Sequence, residues 1–493
     1  MRNFRVIRTV ALLASSACMC ITVAMAGDQC LVCHEALGGK VPSLYKNDVH
    51  RQKGITCAGC HGGDATSDDM DKAMDKKGGF AGVPKGDAIS QACARCHSDA
   101  ERMKAFGSSL PLRQWENLQA SVHGNLSGVG AEHTVQCITC HDAHGIVRVS
   151  NPSSPVYPLN VVRKCTGCHA NAGFMRTYNP SLAVDQLEKY RTSVHGMRNA
   201  GGDPKVAECA SCHGSHSILR PGDVKSRVYP ENIPATCAGC HGNVAYMAEY
   251  KIPTDQFDKY AKSVHGVALL QKHDAGAPAC NSCHGNHGAA PPGVESISNV
   301  CGTCHALNAE LFAGSPHKKA FAEQKLPACE TCHGNHEINA AGKDLLGVSP
   351  DAVCARCHAP DKNEKGYAVA QVMRRMVDSL ETMEAESKGL VDEAEQKGME
   401  IGEAKFKLRD VRQARLETRT IVHSFDESKF RPVVGKGLTI AVSVSDEARG
   451  VIHEFFFRRL GLGVSTLIIT TVGICLLVII RRIDRKQKKN AET

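Results

Sequence analysis

The feature that most constrains this chain is a five-residue pattern, Cys-x-x-Cys-His, that occurs eleven times. The cysteine pairs are Cys30 and Cys33, Cys57 and Cys60, Cys93 and Cys96, Cys137 and Cys140, Cys165 and Cys168, Cys209 and Cys212, Cys237 and Cys240, Cys280 and Cys283, Cys301 and Cys304, Cys329 and Cys332, and Cys354 and Cys357. The histidines that close them are His34, His61, His97, His141, His169, His213, His241, His284, His305, His333 and His358. Two cysteines three apart suit thioether bonds to the two vinyl groups of one haem, and the next histidine reaches the iron as proximal ligand. Paired Cys-x-x-Cys also suits four-cysteine zinc, but zinc does not need a histidine after every second cysteine. A disulfide framework does not need the fixed spacing. The motifs use 22 of 25 cysteines and none is incomplete, so we expect eleven covalent haem c groups.

The eleven motifs occupy Cys30 to His358, about 30 residues per site. Aromatic residues are 5 % of the chain and Trp115 is its single tryptophan, so the porphyrins must supply much of the apolar core. The expected fold is mainly α and irregular: repeated two-haem modules, then a C-terminal helical region and one transmembrane helix. The formal net charge of +8 comes mostly from Arg2, Arg5 and Arg8 and from the basic tail. Haem propionates turn the loaded protein acidic, which argues against nucleic acid as a partner.

From His50 the chain repeats. Each unit has a histidine of the x-Val-His type, a motif, and a second motif, often with another histidine three residues after a proximal one. The units start at His50, His123, His195, His265 and His317, the last a Ser-Pro-His variant. Asp185 to Gly196 is matched by Asp255 to Gly266, and Val156-Tyr157-Pro158 by Val228-Tyr229-Pro230. We expect these five histidines, and the trailing His144, His216, His287 and His336, to be distal iron ligands. A trailing histidine is too close to fold back on its own iron and serves a neighbouring one. His423, after a long helical stretch, is the tenth candidate. The eleventh is open among His133, His273, a methionine or no ligand. The Cys57 motif has no trailing histidine, since Gly62, Gly63 and Asp64 follow His61, and it marks a candidate five-coordinate iron. Bis-histidine ligation gives low potentials.

Residues 1–26 read as a signal peptide: a basic start, an apolar run and Ala24-Met25-Ala26. Residues 27–361 form the undecahaem domain. Residues 362–424 are amphipathic, with Val369, Val372, Met376, Leu380 and Met383 and then Leu390, Ala394, Ile401, Ala404, Leu408 and Val411 as apolar stripe. Pro432, Gly435 and Gly437 suggest a linker, so 425–459 reads as linker and juxtamembrane helix. Residues 460–480 carry no charge and suffice to span a bilayer. The basic tail 481–493 places the C-terminus in the cytoplasm and the haem domain in the periplasm, anchored in the bacterial inner membrane.

The chain resembles the multihaem c-type cytochromes of anaerobically respiring metal- and sulfate-reducing bacteria, most closely in Cys-x-x-Cys-His-Gly-x-His at Cys209–His216, Cys280–His287 and Cys329–His336. That resemblance implies electron transfer between membrane quinol and periplasmic or extracellular acceptors. The membrane segment has no histidine, so we expect a separate quinol-oxidising membrane subunit, with periplasmic electron-transfer proteins as further partners. No catalytic residue is assigned, and an electron carrier is favoured over an enzyme. The alternative is a reductase of nitrite, hydroxylamine or a sulfur oxyanion with one open haem. The Cys-x-x-Cys-Lys motif of nitrite reductases is absent from the sequence.

Overall fold

The computed structural model describes residues 27–125, 135–293 and 296–491. The expected signal segment and His133 lie outside them. Among the described residues every regular element is a helix. Two compact units divide at Tyr229 and Pro230. The first holds six motifs; the second holds five and the long C-terminal helices.

The haem-motif region consists of short helices joined by turns. The repeat has a local physical cause. In Ser121-Val122-His123-Gly124, the Ser121 hydroxyl donates to the Leu118 carbonyl at 2.7 Å and accepts the Gly124 N–H at 3.1 Å. Ser193 and Ser263 repeat this with Tyr190 and Gly196 and with Tyr260 and Gly266. The glycine is required because a β-carbon at 124, 196 or 266 would run into the carbonyl of Leu118, Tyr190 or Tyr260. Tyr190 and Tyr260 then donate to the carbonyls of Ala207 and Pro278, at 2.9 and 2.8 Å, each two residues before a motif cysteine. Tyr45 makes the same bond to Ile55.

Three long helices follow: α1 (Glu364–Gln396), α2 (Gly402–Ile421) and α3 (Glu427–Ala491). They pack together through two apolar clusters, one around Met373, Leu380, Val411, Phe430 and Val434, the other around Val391, Ala394, Ile401, Val444 and Ala448. On α1 the seam is centred on Ala370 and Met373, one residue beyond the expected Val369 and Val372, which are half-buried.

The stretch 425–459, expected as a linker followed by a juxtamembrane helix, is helical from Glu427 onward, so its linker part is helix instead. Residues Phe430, Val434, Gly437, Ala441, Val444 and Ala448 form a buried stripe at helical spacing. Gly437 is a packing glycine: a β-carbon there would stand 2.9 Å from both Ala414 Cβ and Leu380 Cδ1. Pro432 falls near the start of α3, where a missing N–H disturbs few helix bonds. The same helix carries an exposed apolar stretch long enough to cross a membrane.

Candidate haem-binding sites

A helix places positions i, i+3 and i+4 on one face. The motifs at Cys57, Cys137, Cys209 and Cys280 each form one such five-residue turn, Cys57–His61, Cys137–His141, Cys209–His213 and Cys280–His284. Those at Cys93, Cys165 and Cys237 end longer helices, Ala88–His97, Pro158–His169 and Ile233–His241. After His61, His213, His284 and His333 a glycine with φ between 70° and 85° turns the chain away. After His141 the same turn is made by Asp142 at φ 63°. None of the described cysteines is in a disulfide.

Among the described residues, proximal histidines stand opposite a second histidine. In the first unit the pairs are His61–His144, His97–His50, His141–His216 and His169–His123, with ring centres 6.0 to 6.1 Å apart. In the second they are His284–His336, His305–His265, His333–His423 and His358–His317, at 5.8 to 6.3 Å. Metal–imidazole bonds of about 2.0 Å on each side, plus about 1.1 Å from nitrogen to ring centre, put trans imidazoles about 6 Å apart. The residues present therefore fit an iron held between two histidines.

Two geometries alternate along the chain. The pairs at the Cys57, Cys137, Cys280 and Cys329 sites have ring planes within 10° to 24° of each other. Those at Cys93, Cys165, Cys301 and Cys354 are inclined by 31° to 88°. His50, His123, His265 and the variant His317 stand in the inclined class, and the trailing His144, His216 and His336, with His423, in the parallel class. In three of the repeats the valine N–H ties the two together: Val49 to Ile146, Val122 to Ile218 and Val264 to Ile338, at 2.7 to 2.8 Å. Each isoleucine lies two residues past a trailing histidine. Burial holds His97, His123, His144, His216, His333, His336 and His423 below the usual imidazole range, which keeps them neutral as metal binding needs.

The Cys57 site, marked from sequence as short of a ligand, has His144 of the next module opposite its His61. His423, in the turn after α2, lies opposite His333. His195 and His287 are half-buried in the same local settings as their counterparts. His273 is exposed, with Nδ1 2.9 Å from a Glu231 carboxylate, and faces no proximal histidine among the described residues. His34 is exposed, and no histidine ring among the described residues stands opposite it.

Sequence reasoning missed the groups that hold these rings. Asp48 is 1 % exposed and accepts three bonds at 2.8 Å, from His50 Nδ1, His50 N and Ile146 N. Burial alone would raise its carboxyl, but the His50 and Ile146 donors hold it below the usual range. The other four modules have serine at this position, so the signal was a visible departure from the repeat. Phe425 adopts a left-handed φ of 48° that brings its ring centre 4.0 Å from that of His317. Gly366 leaves room for the His358 ring, which a β-carbon would strike.

Within each unit, neighbouring sites lie beside one another in sequence order. Cys93 lies beside Cys137, Cys165 beside Cys209, Cys237 beside Cys280 and Cys301 beside Cys329, where the helices that carry them pack together. Between these contacts, Cys60 and Cys96, Cys140 and Cys168, Cys283 and Cys304, and Cys332 and Cys357 lie close enough to feel each other's charge. Cys30 and Cys57 are similarly close.

A family model described as cytochrome c3 matches residues 49–170 and 203–306, together a little under half of the chain. Each matched stretch contains four attachment motifs. The C-type polyheme cytochrome OmcC of Geobacter sulfurreducens is 28 % identical over 131 residues, covering 25 % of this chain and 16 % of that protein. The similarity thus spans a small part of the relative's length. No solved structure matches the chain.

Proposed function

We propose that this chain, a multihaem c-type cytochrome by its likeness to those proteins, relays electrons between a quinol-oxidising membrane subunit and periplasmic or extracellular acceptors in anaerobic respiration. Eleven haem c groups are bound through the cysteine pairs, with the motif histidines as proximal ligands. Bound haem supplies one-electron redox chemistry; the chain's own residues fix spacing, order and ligand basicity. The distal ligands are His50, His123, His144, His195, His216, His265, His287, His317, His336 and His423. The reading has the protein held in the inner membrane by residues 460–480, with the haem domain on the periplasmic side.

The observation that carries this reading is the packing of neighbouring attachment sites against one another within each unit, such as the Cys93 helix on the Cys137 turn and the Arg95 guanidinium donating to the Cys60 carbonyl at 2.9 Å. Electron transfer slows steeply with distance, so close sites in unbroken order suit a relay. Purification of the full chain from native membranes in mild detergent should bring down a quinol-oxidising subunit. A pure monomer that oxidises quinol analogues unaided would defeat the proposal.

The reductase reading keeps one observation in its favour: exposed His34 with no opposing ring among the described residues. It requires an exchangeable iron position at the Cys30 site. EPR of the oxidised holoprotein, before and after adding cyanide, separates the two. A high-spin signal that cyanide converts favours the reductase; low-spin signals indifferent to cyanide leave the relay alone.

A further inference from the structure

We infer that Asp48 is a positioning residue that sets the Cys93 site at a lower potential than the sites whose modules carry serine in its place. The inference rests on the reading of His50 as the distal ligand there, opposite His97. A carboxylate oxygen 2.8 Å from His50 Nδ1 takes the proton-bearing nitrogen and leaves Nε2 for the iron. A carboxylate behind a ligating imidazole raises its basicity and fixes its orientation. A more basic ligand stabilises ferric iron over ferrous, which lowers the potential, and such hydrogen bonding is one of the levers a protein has on it.

Three observations make the effect specific to this site. Asp48 is 1 % exposed, so water does not compete for the bond. Its second oxygen is fixed by the Ile146 N–H, and Val49 donates back to the Ile146 carbonyl at 2.7 Å, so the carboxylate cannot swing away. In the equivalent positions the Ser121, Ser193, Ser263 and Ser315 hydroxyls donate to backbone carbonyls of Leu118, Tyr190, Tyr260 and Phe312. At the opposite extreme, Nδ1 of both His317 and His358 is buried without a partner. Among the eight described pairs, His50 is the histidine with a carboxylate on Nδ1. Ile146 also lies two residues past His144, so one buried carboxylate braces the ligands of two adjacent sites, Cys57 and Cys93.

The test is an EPR-monitored redox titration of the full-length holoprotein and of Asp48→Asn, Asp48→Ser, Ser121→Asp and His50→Ala. Asp48→Asn keeps an acceptor without the charge; Asp48→Ser restores the residue of the other modules. In both, one low-spin component of single-haem intensity should move to higher potential with altered g-values. In Ser121→Asp a different component should move lower. Titrations of Asp48→Asn and Asp48→Ser that overlay the parent would overturn the inference. If those two do not assemble, an unmoved Ser121→Asp overturns it alone. His50→Ala should create one high-spin iron; without it, the ligand assignment fails, independently of Asp48.

Discussion

Asp142 holds a conformation that four counterparts reach with glycine. Its φ of 63° and ψ of 179° lie in a region close to glycine-only. Strain of this kind costs about 1–3 kcal/mol. Against it stand the Lys164 ion pair at 3.2 Å, with the Asp142 side chain 59 % exposed, an arrangement worth about 0–1 kcal/mol, and glycine's extra unfolded-chain entropy of about 0.4–1 kcal/mol. Strain is the larger quantity, so Asp142→Gly should stabilise the holoprotein by about 1 kcal/mol, read as a higher Tm in thermal unfolding followed in the haem absorption band. A lower Tm would show the lysine contact outweighing the strain. At this scale the sequence was legible wherever chemistry is tied to fixed spacing, as in the Cys-x-x-Cys-His motifs. It was not legible for Phe425 or Gly366, whose roles depend on φ and on close approach, and a residue letter encodes neither.

At the scale of elements, the repeat is a pairing code. An x-Val-His histidine faces the proximal histidine of the second motif downstream, as His50 faces His97 across the Cys57 motif. A trailing histidine faces the second motif upstream, as His216 faces His141. The residues were visible, but the partners were not, because spacing along the chain does not reveal which neighbour a helix turn meets. That is why the Cys57 site looked short of a ligand until His144 was seen opposite His61. The two ring geometries predict two families of low-spin ferric EPR signals. Near-parallel imidazoles split the iron orbitals strongly and give rhombic spectra, whereas steeply crossed ones, as at His50–His97 and His317–His358 with 88° between planes, give a large g-max. His216→Ala should delete one rhombic component and add one high-spin iron; loss of a large-g-max component instead would reverse the assignment. Gly437 belongs here too. Proline and glycine near one another suggested a linker, but a glycine facing Leu380 and Ala414 is equally what tight helix packing selects. Gly437→Leu overfills that contact and should destabilise the bundle by about 1–3 kcal/mol, seen as a lower Tm with unchanged haem content.

For the molecule as a whole, α3 joins the bundle seam to the apolar stretch without a break, so the second unit and the span from Leu460 share one rod. His423 lies just before α3 begins at Glu427. At about 1.5 Å per residue, the helix from Glu427 to Leu460 is about 50 Å long. The Cys329 and Cys354 sites, facing His423 and His317, therefore belong to the end of the bundle away from the apolar stretch. With residues 460–480 spanning the bilayer as proposed, a quinol there would be far from these two sites, and α3 presents no histidine within residues 460–480 to hold a nearer group. On the proposed reading, a quinol-oxidising subunit that delivers electrons to these two sites would need redox groups of its own reaching up from the membrane plane. Reconstituted alone in liposomes, the holoprotein should stay oxidised when a menaquinol analogue is loaded into the bilayer, yet be reduced fully by dithionite in the water. Adding a detergent extract of native membranes should restore quinol-driven reduction. Rapid reduction by bilayer quinol without that extract would mean that an entry site nearer the membrane exists within this chain, and the length of α3 would then have no bearing on how electrons arrive.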